Sequence, residues 1–420
     1  MTKHTIEPAF GVELKEPAFT EDRWVSPLNL YPEVQNQIHA PEQVLIHDVT
    51  LRDGEQTARI AFTPEEKIAI ALELDKLGVH SVEPGLPITD EDREVITTLS
   101  QMNLRAHIVP LARVNELDVR NSIDAKADGM VLEMSLNPYL IRDAFKTNPD
   151  DLIKQVAEYS KAGKEAGMYV EYMAWDVMRI EGWEYPERFF RDLVEHADLD
   201  RVTVADTFGM AHPFTTCQYI QKLKEWTGKP VGLHIHNDFG LANANSLMAV
   251  SAGADMVHSS INGLGERAGN VATEEIGMTL QHLFDIDAGL DLTRLKPLSD
   301  MVTEISKAQP ARNKAVVGDG LFEVESGIVL AAMEMTKGTA LANLAFPFAP
   351  EVVGHKSKEV IFGVGSGVVA VGALLDEWGI DASKDQLKEI TGRIKTRGRL
   401  LKNGVPHSHI RRIVEDCLGC

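Results

Sequence analysis

The sequence predicts an α/β fold: a (β/α)8 TIM barrel followed by a smaller, mainly helical C-terminal region. Three observations carry this prediction, namely eight short β-rich runs, helical patterns between them, and a change of rhythm past about residue 285. Eight strands that each precede a helix, over roughly 240 residues, are typical of this barrel. A doubly wound open sheet is the alternative. Its first turn is normally rich in glycine, whereas the first turn here is the charged segment Arg52–Gln56.

The predicted strands are short runs rich in β-branched and apolar residues. They span Val44–Val49, Ser81–Glu83, Ala106–Val109, Met130–Met134, Tyr169–Met173, Arg201–Ala205, Val231–Ile235 and Met256–Ser260. Helical patterns lie between them at Pro64–Leu77, Asp150–Ala166, Pro186–Ala197 and Ala242–Ala252. The first of these helices opens with Thr63 as N-cap and Pro64 at the first helical position. Several helices end on a glycine, which favours the left-handed conformation of a helix end.

Three segments are predicted along the chain: an N-terminal arm over residues 1–41, the catalytic barrel over 42–290, and a helical region over 291–420. The arm is rich in proline and carries scattered aromatic residues, which favour a segment packed on the protein or on a neighbouring subunit over a disordered leader. The helices predicted for the last region are Pro297–Ala308, Gly367–Trp378, Lys384–Thr396 and Ser408–Leu418.

Composition excludes several classes of protein. Of the 420 residues, 44% are hydrophobic and 25% are charged, which is ordinary for a globular protein with a large core. The 63 acidic residues against 42 Lys and Arg give a net charge of −21, so neither nucleic acid nor an anionic membrane is an expected partner. No apolar run approaches the ~18 residues of a membrane span. Three cysteines cannot form a disulfide framework, and the predicted location is cytoplasmic.

The histidines His234 and His236, at the end of the seventh strand, are the clearest chemical signal. Residues i and i+2 of a strand point to one face, so two imidazoles near the barrel mouth can bind one divalent ion. Asp53, after the first strand, would add a carboxylate, and Asn270, after the eighth, an amide oxygen. These ligands suit Mn²⁺, Zn²⁺, Mg²⁺ or Co²⁺ acting as a Lewis acid. The alternative is a pair of core histidines that bond to their neighbours.

Other strand ends carry polar residues with two interpretations each. Arg52 is placed to stabilise an enolate oxygen or to neutralise a substrate carboxylate, and equally to form a structural ion pair with Glu83 or Glu171. Glu171 is also a candidate acid or base. Thr207 offers its hydroxyl either to a substrate carboxylate or to the start of the following helix, as an N-cap.

Four segments together resemble the DRE-TIM metallolyase superfamily, in particular its branch of 2-isopropylmalate, homocitrate and citramalate synthases. They are Leu51–Gln56, Asp206–Gly209, His234–Ala242 and Asn262–Asn270. The resemblance covers residues 44–285 and continues more weakly to the C-terminus. It implies a divalent metal held by Asp53, His234 and His236, with Asn270 at or beside it.

The resemblance also implies the substrates and the partner. A 2-oxo acid would chelate the metal with its carboxylate held by Thr207, and Arg52 would stabilise the enolate of acetyl-CoA as it attacks the ketone. Hydrolysis of the CoA thioester would follow. Glu83 and Glu171 match the family's glutamates on the second and fifth strands. These synthases are generally homodimers whose helical C-terminal region reaches over the partner's barrel, so a homodimer is expected.

Three further positions complete the expected substrate site. Gln56 closes the first of the four segments, and Ser135 remains on the fourth strand although Met134 replaces the family's preceding threonine. His107 lies on the third strand. We expect these residues to contact substrate.

The chain departs from the synthases in the C-terminal motif. Val324 and Val329 stand where those enzymes usually carry histidines around a Glu-Ser-Gly-Ile core. The first of these histidines is the family's expected acid and base for acetyl-CoA, so valine removes a proton carrier. Glu323, Glu325 and His107 are the candidates to replace it.

Three functions remain open on these grounds. The first is condensation of acetyl-CoA or another acyl-CoA with a 2-oxo acid to give a 2-hydroxy diacid. The second is metal-dependent carbon–carbon cleavage or aldol chemistry without CoA, although the loop before Asn270 lacks the cysteine of the known lyases. The third is a barrel that binds metabolites without catalysis. Release of free thiol distinguishes them, because only the condensing enzyme frees CoA.

Overall fold

The computed structural model of the chain describes residues 19–20, 22–336, 338–339, 345–356 and 358–419. They form two compact units. The larger spans Pro32–Ala311, and the smaller joins the described residues before Pro32 to those from Arg312 onward. The larger unit therefore extends past 42 and 290, the limits predicted for the barrel. Residues 1–18 and 21 of the predicted arm lie outside the described residues.

Eight parallel strands close into the barrel that the sequence predicts. They are β1 Leu45–Asp48, β2 Ser81–Val82, β3 in two segments (His107–Ile108 and Leu111–Arg113), β4 Gly129–Ser135, β5 Tyr169–Trp175, β6 Arg201–Asp206, β7 Val231–Ile235 and β8 Met256–Ser259. Each strand pairs with the next, and β8 pairs with β1, where Leu45 lies beside Met256.

Pro110 divides β3 into its two segments. Proline has no N–H to donate to a neighbouring strand, so the ladder is interrupted there. The first segment pairs with β2 and the second with β4. The carbonyl of Pro110 still accepts the N–H of Val131 at 3.0 Å. The chain over residues 107–113 thereby completes the ring.

A helix follows each strand. These are α1 Pro64–Leu77, α2 Asp90–Gln101, α3 Glu116–Asp124, α4 Pro149–Glu165, α5 Glu184–His196, α6 Pro213–Thr227, α7 Ala242–Ser251 and α8 Thr273–Gly277. A π-helical segment, Met278–Leu283, continues α8, and α9 spans Leu295–Ser306. The predicted start of α1 is confirmed, since the Thr63 hydroxyl accepts the N–H of Glu66 at 3.3 Å and the Glu66 carboxylate accepts the N–H of Thr63 at 2.8 Å.

The strand register decides which side chains point into the barrel. An apolar cluster is formed by Val109, Leu111, Val131, Met173 and Ala205. Ala205 is the register neighbour of His234, His234 of His258, and His258 of His47. Because side chains alternate along a strand, these imidazoles share the interior with the apolar cluster.

The smaller unit is mainly helical, as the sequence predicts. Two short parallel strands, β9 Glu323–Val324 and β10 Glu359–Val360, accompany α10 Gly327–Thr336, α11 Val368–Glu377, α12 Lys384–Leu401 and α13 His407–Leu418. In the described part of the arm, the rings of Phe19 and Trp24 stack at 4.7 Å, and the N–H of Trp24 donates to the Pro347 carbonyl at 2.8 Å. Among the described helices, none has the length and apolar character that a membrane crossing requires.

Candidate active site and metal centre

Asp53, His234 and His236 converge at the carboxyl ends of β1 and β7. The Nε2 atoms of His234 and His236 lie 3.2 and 3.6 Å from Oδ2 of Asp53, and 3.4 Å from each other. All three side chains are buried. The two imidazoles point to one face of β7, as the alternation of the strand predicts.

The electrostatics of this triad favour a cation. Burial opposes ionisation of Asp53, but the Arg52 guanidinium and the bonded His234 outweigh it and hold the pKa of the carboxyl well below its usual range. Burial together with His234 lowers the pKa of His236 to about 4. Its imidazole is therefore neutral near pH 7, which is the state that binds a metal.

Asn270 lies next to His236 in a backbone bridge and is the candidate for a fourth ligand. Its Nδ2 donates to the Leu264 carbonyl at 3.0 Å, whereas its Oδ1 is buried and has no hydrogen-bond partner among the described residues. A buried acceptor without a partner costs free energy unless it binds something. Two imidazoles, a carboxylate and an amide oxygen form a mixed nitrogen and oxygen set that suits Mn²⁺, Zn²⁺ or Mg²⁺.

Gly265 allows the loop after β8 to approach these ligands. Its φ is +156°, a conformation that other residues rarely adopt. A Cβ at this position would lie 2.3 Å from Nδ2 of Asn270 and 3.2 Å from Oδ1 of Asp53. The loop therefore needs glycine here in order to close over the triad.

Arg52 lies beside the triad and is held through two of its three side-chain nitrogens. Its Nε donates to Glu83, its Nη1 lies 3.3 Å from Oδ2 of Asp53, and Nη1 also donates to Oε1 of Gln56 at 3.2 Å. Its Nη2 is buried and has no hydrogen-bond partner among the described residues. The predicted ion pair with Glu83 is therefore present, and Nη2 is left to donate to a ligand.

His47 and Glu83, both buried inside the barrel, hold Arg52 in place. His47 lies 2.7 Å from the Ser81 hydroxyl through Nδ1 and 3.1 Å from Oε2 of Glu83 through Nε2. Burial raises the pKa of Glu83, but Arg52 and His47 outweigh it and lower the pKa to about 2. Glu83 therefore stays ionised and holds the guanidinium in place.

Glu171 belongs to this inner network and not to the triad. Its Oε1 lies 3.1 Å from Nε2 of His258, and its Oε2 accepts the hydroxyl of Tyr169 at 2.9 Å. The ring of His258 lies 4.3 Å from that of His47 and 5.6 Å from that of His234, measured between centroids. Sequence reasoning missed His47 and His258. Their signal was a histidine at an inward position of an otherwise apolar strand.

Thr207 lies at the end of β6 with its hydroxyl already engaged. Its Oγ1 accepts the N–H of Asp176 at 2.8 Å. Helix α6 begins only at Pro213, with His212 as N-cap, so the prediction that Thr207 caps this helix is wrong. Arg267 donates to the Thr207 carbonyl and to the Asp238 carboxylate, which ties the loops after β6, β7 and β8 together.

Ser135 and His107, two other residues predicted to contact substrate, lie at opposite ends of their strands. Ser135 is buried at the carboxyl end of β4, where its hydroxyl accepts the N–H of Asn137 at 3.1 Å. His107 begins β3, is exposed, and packs against the ring of His80 at 5.1 Å. It therefore lies at the opposite, amino-terminal end of its strand, and the structure does not bring it to the triad.

The carboxylates beside Val324 have partners within the smaller unit. Glu323 accepts a hydrogen bond from Arg312, and Oε1 of Glu325 accepts the N–H of Gly365 at 2.7 Å. Val324 itself is buried, in β9 beside Val360.

Comparison with curated proteins finds long matches to synthases. The chain is 36% identical over 388 residues to "Homocitrate synthase AksA" of Methanopyrus kandleri, covering 92% of this chain and 95% of that protein. It is 38% identical over 388 residues to "2-isopropylmalate synthase" of Methanocaldococcus jannaschii, covering 91% and 73%. It is 37% identical over 378 residues to "Putative (R)-citramalate synthase CimA" of Archaeoglobus fulgidus, covering 90% and 76%.

Solved structures share the barrel. Hydroxymethylglutaryl-CoA lyase of Pseudomonas aeruginosa superposes with a TM-score of 0.60 at 18% identity, over 67% of this chain and 98% of that one. The HMG-CoA lyase of Brucella melitensis gives 0.58 at 19% identity, over 64% and 100%. At this identity the likeness shows the fold alone. The family model HMGL-like matches residues 43–302, which is more than half of the chain. The chain therefore belongs to the HMGL-like family, within the DRE-TIM superfamily.

Proposed function

We propose that the protein is an acyltransferase that condenses acetyl-CoA, or another acyl-CoA, with a 2-oxo acid to give a 2-hydroxy diacid. The observation that carries this proposal is the convergence of Asp53, His234 and His236 beside Arg52, whose buried Nη2 has no hydrogen-bond partner among the described residues. The relatives named as homocitrate, 2-isopropylmalate and citramalate synthases support it, because they match over most of the chain.

Asp53, His234, His236 and Asn270 would hold the divalent ion. When bound, this ion supplies a Lewis acid that polarises the ketone of the 2-oxo acid.

Arg52 would stabilise the enolate of the acyl-CoA. Charge develops on the thioester oxygen when the neighbouring carbon loses a proton, and a preorganised donor aimed at that oxygen lowers the barrier. The free Nη2 of Arg52 suits this role, since Nε and Nη1 are held by Glu83 and Gln56. We assign Glu83 and Gln56 to positioning Arg52.

Thr207, at the end of β6, would hold the substrate carboxylate. Its hydroxyl accepts the N–H of Asp176, so its own O–H remains available to donate. Ser135 lies at the end of β4 and would border the same substrate. We further infer a cytoplasmic homodimer, because the family resemblance implies a partner and the cysteine content suits a reducing compartment.

A lyase or aldolase is the second candidate. The observation that favours it is Val324, which leaves the expected synthase histidine absent while the metal ligands and Arg52 remain. Arg52 can equally stabilise the enolate released by cleavage of a hydroxy acid, with no CoA involved. A barrel that only binds metabolites would release no thiol and would form no oxo acid.

Free-thiol release tests the proposal. Purified protein with Mn²⁺, Zn²⁺ or Mg²⁺ is assayed for thiol from acetyl-CoA across a panel of 2-oxo acids. We expect release that depends on both the metal and one oxo acid, with a 2-hydroxy diacid as product. If no 2-oxo acid of the panel gives thiol release and hydroxy diacids are converted to a 2-oxo acid, the protein is a lyase instead.

A further inference from the structure

Condensation needs a group that removes a proton from the acyl-CoA, and Val324 cannot do so. The carboxylates described so far are already engaged. Asp53 and Glu83 lie against Arg52, while Glu171 lies against Tyr169 and His258. A proton acceptor must therefore be sought elsewhere at the barrel mouth.

Glu133 is a carboxylate on the inner face of β4. It stands two residues after Val131, which belongs to the apolar cluster inside the barrel, so alternation turns Glu133 inward as well. Its register neighbours are Arg113 in β3 and Met173 in β5, and Met173 is another member of that cluster. Only two residues remain before β4 ends, which places Glu133 at the mouth.

The surroundings of Glu133 connect it to the active site. The charges that act on its carboxyl are those of Arg52, Glu83, Asp53 and Glu266, which come from the segments after β1, β2 and β8. Its side chain is half-buried, so it is shielded from bulk water and still open to a ligand in the mouth.

We propose that Glu133 is the general base and acid of the condensation, replacing the family's histidine. This assignment rests on the proposed function. Among the residues that the structure describes, no other carboxylate combines an inward position at the mouth, proximity to Arg52, and partial access. Glu266, which also lies near, is exposed and paired with Arg267.

The chemistry balances with one proton that leaves and returns. The Glu133 carboxylate takes a proton from the acyl carbon next to the thioester. The C–H electron pair becomes a carbon–carbon double bond, and the carbonyl pair moves to the thioester oxygen beside Arg52. The enolate carbon then bonds to the ketone carbon, and the ketone oxygen takes the proton back from Glu133. Water hydrolyses the thioester, which yields the carboxylate and free CoA thiol.

The electrostatics suit this exchange. Burial raises the pKa of Glu133 to about 7; Arg52 opposes this rise, and Glu83, Asp53 and Glu266 add to it. A base whose pKa lies near the working pH both accepts and returns a proton efficiently. A glutamate with an ordinary pKa would be a weaker acceptor of the acyl-CoA proton.

The test compares Glu133→Gln with Glu116→Gln, a matched control on the exposed outer face of α3. Oxo-acid-dependent thiol release, its pH profile and bound metal are measured for both. We expect Glu133→Gln to lower kcat about 10²- to 10⁴-fold and to abolish the change of kcat with pH near pH 7. Bound metal and the KM for the oxo acid should stay unchanged. The control should match wild type.

The outcomes separate the two proposals. If wild type releases thiol while Glu133→Gln keeps its kcat and pH profile, the assignment to Glu133 is overturned and the synthase stands. If wild type releases no thiol with any oxo acid, the synthase is overturned and the assignment with it. Should Glu133→Gln lose metal, Glu133→Ala is assayed with added formate. Recovery of turnover then supports a proton-transfer role, and no recovery at full metal content overturns it.

Discussion

At the scale of single residues, the metal site depends on side chains from two distant parts of the sequence. Asp53 and His234 approach to 3.2 Å at the mouth of the barrel. We expect Asp53→Ala and His234→Ala each to abolish stoichiometric metal and all turnover, because both remove a ligand from a set of four. His196→Ala, an exposed histidine of α5, should keep both. Elemental analysis of the purified variants checks this, and full metal content in either Asp53→Ala or His234→Ala would refute the ligand set.

Glu83 is predicted to act through Arg52. Glu83→Gln removes a buried negative charge and leaves the guanidinium with less compensation, so the free energy of unfolding should fall by about 3–5 kcal/mol. Thiol release should fall as well, at unchanged metal content. Glu389→Gln breaks a half-exposed pair with Arg393 and should cost less than about 1 kcal/mol. Equal costs for both variants, measured by denaturant titration, would contradict the role of Glu83.

Glu133 also predicts a pH-dependent effect on stability. Its pKa in the folded state, about 7, lies above its usual 4.5, so the folded protein keeps a proton that the unfolded chain releases between these values. The contribution of Glu133 to the free energy of unfolding of the wild type therefore falls as the pH rises from 4.5 to about 7.

Glutamine cannot ionise, so Glu133→Gln should gain stability relative to wild type as the pH rises from about 5 to about 8. The expected gain is on the order of 1–3 kcal/mol. Denaturant titrations at both pH values measure it. A difference between variant and wild type that is the same at both values would show that Glu133 is not held protonated.

At the scale of elements, the loop after β8 is predicted to control the metal site. Gly265→Ala would place a Cβ 2.3 Å from Nδ2 of Asn270 in a conformation that alanine rarely adopts. We expect bound metal to be lost while the far-ultraviolet circular dichroism of the barrel persists. Gly228→Ala, where a Cβ meets nothing within 4 Å, should keep its metal. Equal metal content in the two variants would contradict this function of the loop.

Periodicity predicted most elements well, and it failed where local chemistry interrupts a pattern. The first helix was predicted at Pro64–Leu77 and is found there, because Thr63, Pro64 and Gly78 mark its ends. The second segment of β3, Leu111–Arg113, was missed, because Pro110 interrupts the hydrogen-bond ladder and hides its continuation. The π-helical segment at Met278–Leu283 carries no distinct sequence pattern.

The site shows the same division. Asp53, His234 and His236 were predictable because alternation along one strand and the charged first turn restrict where their side chains point. His47, His258 and Glu133 were missed, because a polar residue inside a strand matters only when neighbouring strands bring others against it. That pairing depends on strand register, which one sequence does not contain. The prediction that His107 contacts substrate placed it on the correct strand but did not distinguish the two ends of that strand. His107 lies at the amino end, away from the triad.

In the molecule as a whole, all the residues proposed to take part in the chemistry lie in the unit Pro32–Ala311. The metal ligands, Arg52, Glu133 and Thr207 belong to this unit. The smaller unit carries Val324 where the synthases usually have histidine. In our proposal the barrel supplies both the metal site and the proton acceptor.

Removal and return of the metal tests whether thiol release depends on the ion proposed to bind at the barrel mouth. Wild-type protein is stripped with a chelator, and thiol release from acetyl-CoA is measured with the active 2-oxo acid before and after Mn²⁺, Zn²⁺ or Mg²⁺ is added back. We expect no release from the stripped protein and full recovery at one ion per chain. Thiol release that persists in the metal-free protein would contradict it.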